Sequence, residues 1–124
     1  MKKIMILSEA AQQVKRRKYE VGETNFLIYL TIDDRIRHYH FSIKGKVTGF
    51  VAQYEAFIVG KWYPIIRYDT AHGFTHLDRM HSNGSVEKIP LPYWDYNEAL
   101  LFAQDDIKSN WEWYRERYEK EIRG

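Results

Sequence analysis

The chain contains no cysteine, which excludes a disulfide framework, a thiolate metal site and thiol nucleophiles. Proline is scarce, and its three copies fall at apparent element boundaries. No Pro/Gly/Ser-rich linker, internal repeat or low-complexity tract divides the 124 residues, so one domain spanning 1–124 is expected. Long apolar runs are missing too. Met1-Lys2-Lys3-Ile4-Met5-Ile6-Leu7 ends at Ser8-Glu9, far short of a signal-peptide core or a membrane span. The expectation is a soluble, cytoplasmic protein with no membrane partner. Nor is there an excess of one charge: 19 basic and 17 acidic residues give +2, so any anionic partner would be met by a local patch. Finally, no G-x-S-x-G, no Walker-type loop and no dinucleotide G-x-G-x-x-G occurs, leaving nucleotide-driven chemistry without support and no cofactor implied.

Aromatic residues, by contrast, are plentiful at 16 %, with ten Tyr and four Trp. They supply amphipathic surface for a core, an interface or base stacking. Ser8 to Tyr19 reads as a short helix, with Ala10, Ala11 and Val14 on one side and Lys15-Arg16-Arg17-Lys18 at its C-terminal end. From Asn25 the pattern changes to strands: Phe26–Thr31, Arg37–Ile43, Val47–Val59, Trp62–Asp69 and Phe74–His81, broken by Asp33-Asp34, Lys44-Gly45-Lys46, Gly60-Lys61, His72-Gly73 and Asn83-Gly84. His38 and His40 read as an exposed pair opposite Tyr39 and Phe41. Pro90-Leu91-Pro92 stops the strands.

The last segment, Tyr96 to about Ile122, reads as one long helix. Asp95 with Glu98 makes a capping box, and Leu100, Ala103, Ile107, Trp111, Tyr114 and Tyr118 form a stripe at three- and four-residue steps. The expected fold is α+β: an antiparallel meander of five or six strands packed against this helix, with the short N-terminal helix beside it.

Arg67-Tyr68-Asp69-Thr70-Ala71-His72-Gly73-Phe74-Thr75-His76-Leu77-Asp78 concentrates an arginine, two aspartates and two histidines in twelve residues. With His72-Gly73 at the centre of a tight hairpin, Asp69 faces His76 and Arg67 faces Asp78, placing four polar side chains on one sheet face. Carrying the register back through a Gly60-Lys61 turn puts Arg67 with Tyr54, Ala56, Ile58 and Ile65, on the face expected to be buried. Val51, Phe57, Val59, Ile66, Tyr68 and Leu77 then share the other face. In the cluster, Asp69 would fix the tautomer of His76, and Arg67 would hold carboxylates or a phosphate in its fork. His72 at the tip is either a turn residue or a second imidazole over the site. Asp106 and Asn110, one helical turn apart, read as a solvated edge or as a completion of the site.

The residues Arg67-Tyr68-Asp69-Thr70-Ala71-His72-Gly73 with His76 and Asp78, and later Asp106, Asn110-Trp111 and Tyr114, resemble a family of small uncharacterised prokaryotic proteins with an R-Y-D-x-A-H-G-x-x-H-x-D core. The R-Y-D-x-A-H portion is similar to TumE-like toxins of toxin–antitoxin pairs. That resemblance implies a small RNA- or translation-directed toxin with an antitoxin partner.

Three functions stand side by side. One is a toxin-like RNA-binding or RNA-cleaving protein, with Arg67, Asp69, His72, His76 and Asp78 as catalytic candidates and aromatics such as Trp62, Tyr63 and Tyr68 stacking bases. The second is a non-enzymatic module that forms a homodimer or receives a partner on its apolar face. The third is a metal-dependent hydrolase ligating through His72, His76 and Asp78.

Overall fold

The computed structural model describes residues 5–7, 21–92 and 95–124. Its strands are β1 (Met5–Leu7), β2 (Val21–Thr31), β3 (Asp34–Ile43), β4 (Lys46–Ile58), β5 (Lys61–Asp69), β6 (Thr75–Met80) and β7 (Val86–Leu91), followed by one helix, α1 (Tyr96–Arg123). All strands lie in one antiparallel sheet in sequence order. The expected α+β meander is therefore present as β2–β7, with three-residue β1 added at an edge. The short helix expected over 8–19 falls outside the described residues. No helix among the described residues is long and apolar enough to cross a membrane.

Local sequence accounts for the hairpins. Lys44 and Gly45 (φ 51° and 76°), and Val59 and Gly60 (φ 45° and 79°), both take the left-handed conformation, as tight turns between twisted strands require. Val59 is a β-branched residue in a conformation that suits Gly or Asn, so this turn is locally strained.

Helix α1 contains neither Gly nor Pro over its 28 residues. Asp95 caps it by accepting the Glu98 N–H at 2.9 Å, and Gly124, at φ 85°, ends it. The expected stripe is its buried face: Leu100, Ala103, Ile107, Trp111, Tyr114 and Tyr118, joined by Ala99. These residues pack on Ile28, Ile36, Phe50, Ala52, Tyr54, Ile66, Tyr68 and Leu77 in one continuous core. Burial of each large side chain contributes about 1.5–3 kcal/mol, so the stripe outweighs any propensity effect along α1.

One residue decides what lies on the other face. The ladder between β4 and β5 runs Ile58↔Lys61, Phe57↔Trp62, Ala56↔Tyr63 and Glu55↔Pro64, then resumes at Tyr54↔Ile66, leaving Ile65 as a bulge. The turn is centred on Val59-Gly60 instead of Gly60-Lys61, but that displacement moves the pairing by two residues and preserves the faces. The single extra residue at Ile65 inverts them for everything downstream. Arg67 pairs with Gln53, not Tyr54. Ile66, Tyr68 and Leu77 join the core beneath the helix, Val59 is an exposed turn residue, and Val51 and Phe57 fall on the cluster's side of the ladder. The apolar face expected opposite the cluster is thus the face that α1 covers.

Candidate functional site

The ladder of β5 and β6 pairs Arg67 with Asp78, Tyr68 with Leu77 and Asp69 with His76, the pairing expected from sequence. The connection is not a two-residue turn, however. Strand β5 ends at Asp69 and β6 begins at Thr75, with Thr70–Phe74 between them. The Gly73 N–H donates to the Thr70 carbonyl at 3.1 Å, the Ala71 N–H to Asp69 Oδ1 at 3.1 Å, and the Phe50 N–H to Thr70 Oγ1 at 3.0 Å. The segment between the paired Asp69 and His76, residues 70–75, is centred on the same point as the tight turn, so the register is unchanged.

Asp69, His76 and Asp78 are all buried. His76 Nε2 lies 2.8 Å from Asp69 Oδ1 and 3.8 Å from Asp78 Oδ1. Its other ring nitrogen, Nδ1, is buried with no hydrogen-bond partner among the described residues. A proton on Nε2, bonded to Asp69, leaves Nδ1 as an unpaired base. His72, exposed in the loop, stacks on the His76 ring at 5.3 Å between centroids and 29° between planes, and Phe74 approaches its edge at 6.0 Å. The five candidates are therefore brought together, with His72 above the site and the other four on the strands.

The cluster continues across the sheet through residues that the sequence did not single out. Arg67 Nε donates to Gln53 Oε1 at 2.7 Å, Gln53 Nε2 to Glu55 Oε2 at 2.6 Å, and Glu55 receives Arg35 Nε at 2.7 Å and Arg37 Nε at 3.0 Å. Burial alone would raise the Glu55 carboxyl, but these donors outweigh it and hold the group below its ordinary range. Lys88 Nζ approaches Asp78 at 3.3 Å, and Arg67 Nη1 lies 3.9 Å from the same carboxylate. Cross-strand pairing is the signal that could have found these partners: Arg37, Gln53, Arg67, Asp78 and Lys88 occupy one row across β3–β7.

Several other expectations are corrected. His38 is not part of an exposed pair. It is buried on the helix side, stacked on Phe26 at 4.3 Å, with Nε2 2.7 Å from His40 Nδ1 and Nδ1 2.8 Å from Gln104 Nε2. Burial, and then His40 and Lys108, bring its pKa down to about 4. Asp106 is not a solvated edge, because its carboxylate accepts the Tyr68 and Tyr114 hydroxyls at 2.7 and 2.6 Å and the Asn110 amide at 2.8 Å. Tyr68 packs in the core beneath α1 and Tyr63 packs on Tyr118, so of the three proposed stacking aromatics only Trp62 pairs into the opposite side of the sheet, where Arg35 lies over its ring at 3.8 Å.

As a metal centre, the donor set is not the expected one. Asp69, His76 and Asp78 present ligand atoms within 4.8 Å of one another, whereas His72, stacked on the His76 ring, is not in that group. Two carboxylates and an imidazole suit a hard or borderline divalent ion. Lys88 and Arg67 already neutralise Asp78, and a metal-bound His76 would ordinarily donate its second N–H to a partner that Nδ1 lacks.

Residues 16–124 match the family described as a domain of unknown function, DUF7718. No curated protein and no solved structure matches the chain.

Proposed function

We propose that this chain, which belongs to the DUF7718 family, is a small phosphodiester-directed protein acting on RNA through the Asp69–His76 pair. The observation that carries this reading is the ring of His76: one nitrogen is held by a buried carboxylate at 2.8 Å and the other is buried and unpaired among the described residues. That is the arrangement of an oriented general base. Nδ1 takes the proton of a ribose 2′-hydroxyl as its oxygen attacks phosphorus. The P–O5′ bond breaks, His72 protonates the departing oxygen, and a 2′,3′-cyclic phosphate and a 5′-hydroxyl result. Arg67 bears on the charge of the phosphate. Because Nδ1 is enclosed, the loop Ala71–Phe74 has to open for substrate to reach it. A toxin-like setting in the cytoplasm, with an antitoxin protein as partner, is the biological context this chemistry fits. Self-association would have to use a surface other than the helix-covered sheet face.

The test is cleavage of a single-stranded RNA, read as cyclic-phosphate ends, in the presence of chelator. His76→Ala is expected to lose about 10²–10⁴-fold in rate with its melting transition preserved. An unchanged rate in that variant would remove the mechanism. A second reading rests on the proximity of Asp69, His76 and Asp78: a divalent-metal hydrolase. It predicts metal that co-purifies with the protein and is lost in His76→Ala, and activity abolished by chelator.

A further inference from the structure

The polar side of the sheet is layered by charge. In the strip crossed by Arg37, Arg67 and Lys88 the carboxylates form the floor: the side chains of Glu55, Asp69 and Asp78 are 8, 10 and 4 % exposed, whereas Glu23, on the same side near the start of β2, is exposed. Above them the cations reach outward, with Arg37 39 %, Arg67 35 % and Lys88 59 % exposed. Although Arg37 pairs with Glu55, and Arg67 and Lys88 with Asp78, what this strip presents to solvent is positive. The anions keep the cations in place and are themselves withdrawn from contact.

These three cations occupy one cross-strand row, on β3, β5 and β7. At about 4.8 Å per strand they stand roughly 10 Å apart and span on the order of 19 Å. The row with Asp69 and His76 lies two residues along the strands, about 7 Å away. A polyanion lying along the cations therefore passes within one pleat of the acid/base pair. Beside the row, Arg35 lies over Trp62 at 3.8 Å and donates to the Tyr29 hydroxyl at 3.1 Å, making an aromatic and guanidinium platform. Such a platform accepts bases with free faces, as single strands have and duplexes do not.

We infer that Arg37, Arg67 and Lys88 form the track of a short single-stranded RNA segment laid across the strands, with its bases toward the Trp62–Arg35 platform. The inference rests on the proposed phosphodiester chemistry for the identity of the polyanion, and adds where that strand runs and why it is single. A span on the order of 19 Å matches the smallest single-strand sites, about four nucleotides.

Binding can be measured apart from cleavage with a fluorescent 2′-O-methyl RNA strand, which has no 2′-hydroxyl to attack. Anisotropy titrations over a series of salt concentrations should give a log–log slope of about −2 for three phosphate contacts. The slope should shrink by about 0.7 in Lys88→Gln, by about 1.4 in Lys88→Gln with Arg37→Gln, and not at all in Lys88→Arg. Lys88 sits exposed on an edge strand, and Glu55 keeps Arg35 and Gln53 when Arg37 is replaced, so both variants should fold, as circular dichroism would verify. A wild-type slope in the folded double variant overturns the inference, as does equal affinity for a duplex of the same sequence or no binding at low salt. A protein that binds by these rules and cuts nothing supports the track and sinks the catalytic proposal. A protein that cuts RNA with unaltered binding in the double variant does the reverse.

Discussion

Arg115 reaches from the helix to Asp34, its Nη1 2.8 Å from the carboxylate oxygen that also accepts the Tyr54 hydroxyl at 2.6 Å. The same guanidinium donates to the carbonyls of Asp33 at 3.2 Å and Phe57 at 2.9 Å. It thus ties the ends of two hairpins to α1. Asp34 is buried, with Thr31 as its remaining donor at 2.6 Å. Arg115→Met should therefore cost about 3 kcal/mol, the low end for breaking a buried pair, because two hydroxyls still attend the carboxylate. Urea unfolding at neutral pH measures this. A loss below about 1 kcal/mol would mean that Asp34 is served by the hydroxyls alone.

The turn at Val59 stores strain that no packing recovers, since the side chain is 97 % exposed and φ is 45°. Val59→Asn suits the left-handed conformation and removes no contact of consequence, so it should stabilise the protein by about 1 kcal/mol. A rise in melting temperature is the expected result. A fall would show that the turn tolerates its valine without penalty.

Stability should decline with acid in a window set by His38. Its folded pKa, about 4, lies below the ordinary 6.5, so the unfolded chain binds the extra proton first as pH falls. The contribution is whole above about 6.5 and is lost progressively down to about 4. Over that interval it amounts to roughly 3 kcal/mol. His38→Leu should flatten this part of the profile, measured as unfolding midpoint against pH. An unaltered profile would point to other groups.

The opposite sign belongs to His81, which sits between Glu87 and Glu121 at the far end of the helix, with Glu121 2.9 Å from Nδ1. Glu87 first, then Glu121, raise its pKa. Burial opposes, but the Ser82 amide, His81 and Arg117 together bring the Glu121 carboxyl down to about 2. The tether is whole below the ordinary histidine pKa and weakens as pH rises through the raised value. Hydrogen exchange at Ser82 should accelerate on that rise in the wild type, and should be fast at all pH values in Glu121→Ala. A rate of Ser82 exchange that follows only the intrinsic pH dependence would rule the tether out.

Much of this architecture is legible in the residues. The turn residues mark the hairpins, and the uninterrupted 3.6-residue stripe marks α1 because nothing in it breaks the helix. Asp69 opposite His76 is legible as well, since the loop is symmetric about His72 and Gly73 whatever its length. Which face they occupy is not, because side-chain direction alternates residue by residue and one bulge reverses it. The signal was Pro64, which reads as an element boundary but lies within β5: a proline within an interior strand lacks the ladder's N–H and marks a bulge. His38 escaped for the same reason, as His38 and His40 alternate with Tyr39 and Phe41, and either pair has a claim to the inside until the register is fixed.

Among the described residues each strand pairs only with its neighbours in sequence, so β2 to β7 can assemble in the order in which the chain is made, with short loops to close at each step. The helix that covers the sheet comes after all of them. During synthesis Ile36, Tyr54 and Ile66 can be aligned on a finished sheet while α1 is still within the ribosome, which leaves an apolar surface open at the moment when a nascent chain is most prone to associate. The 28-residue helix that emerges after the sheet is therefore also the element that ends that exposure.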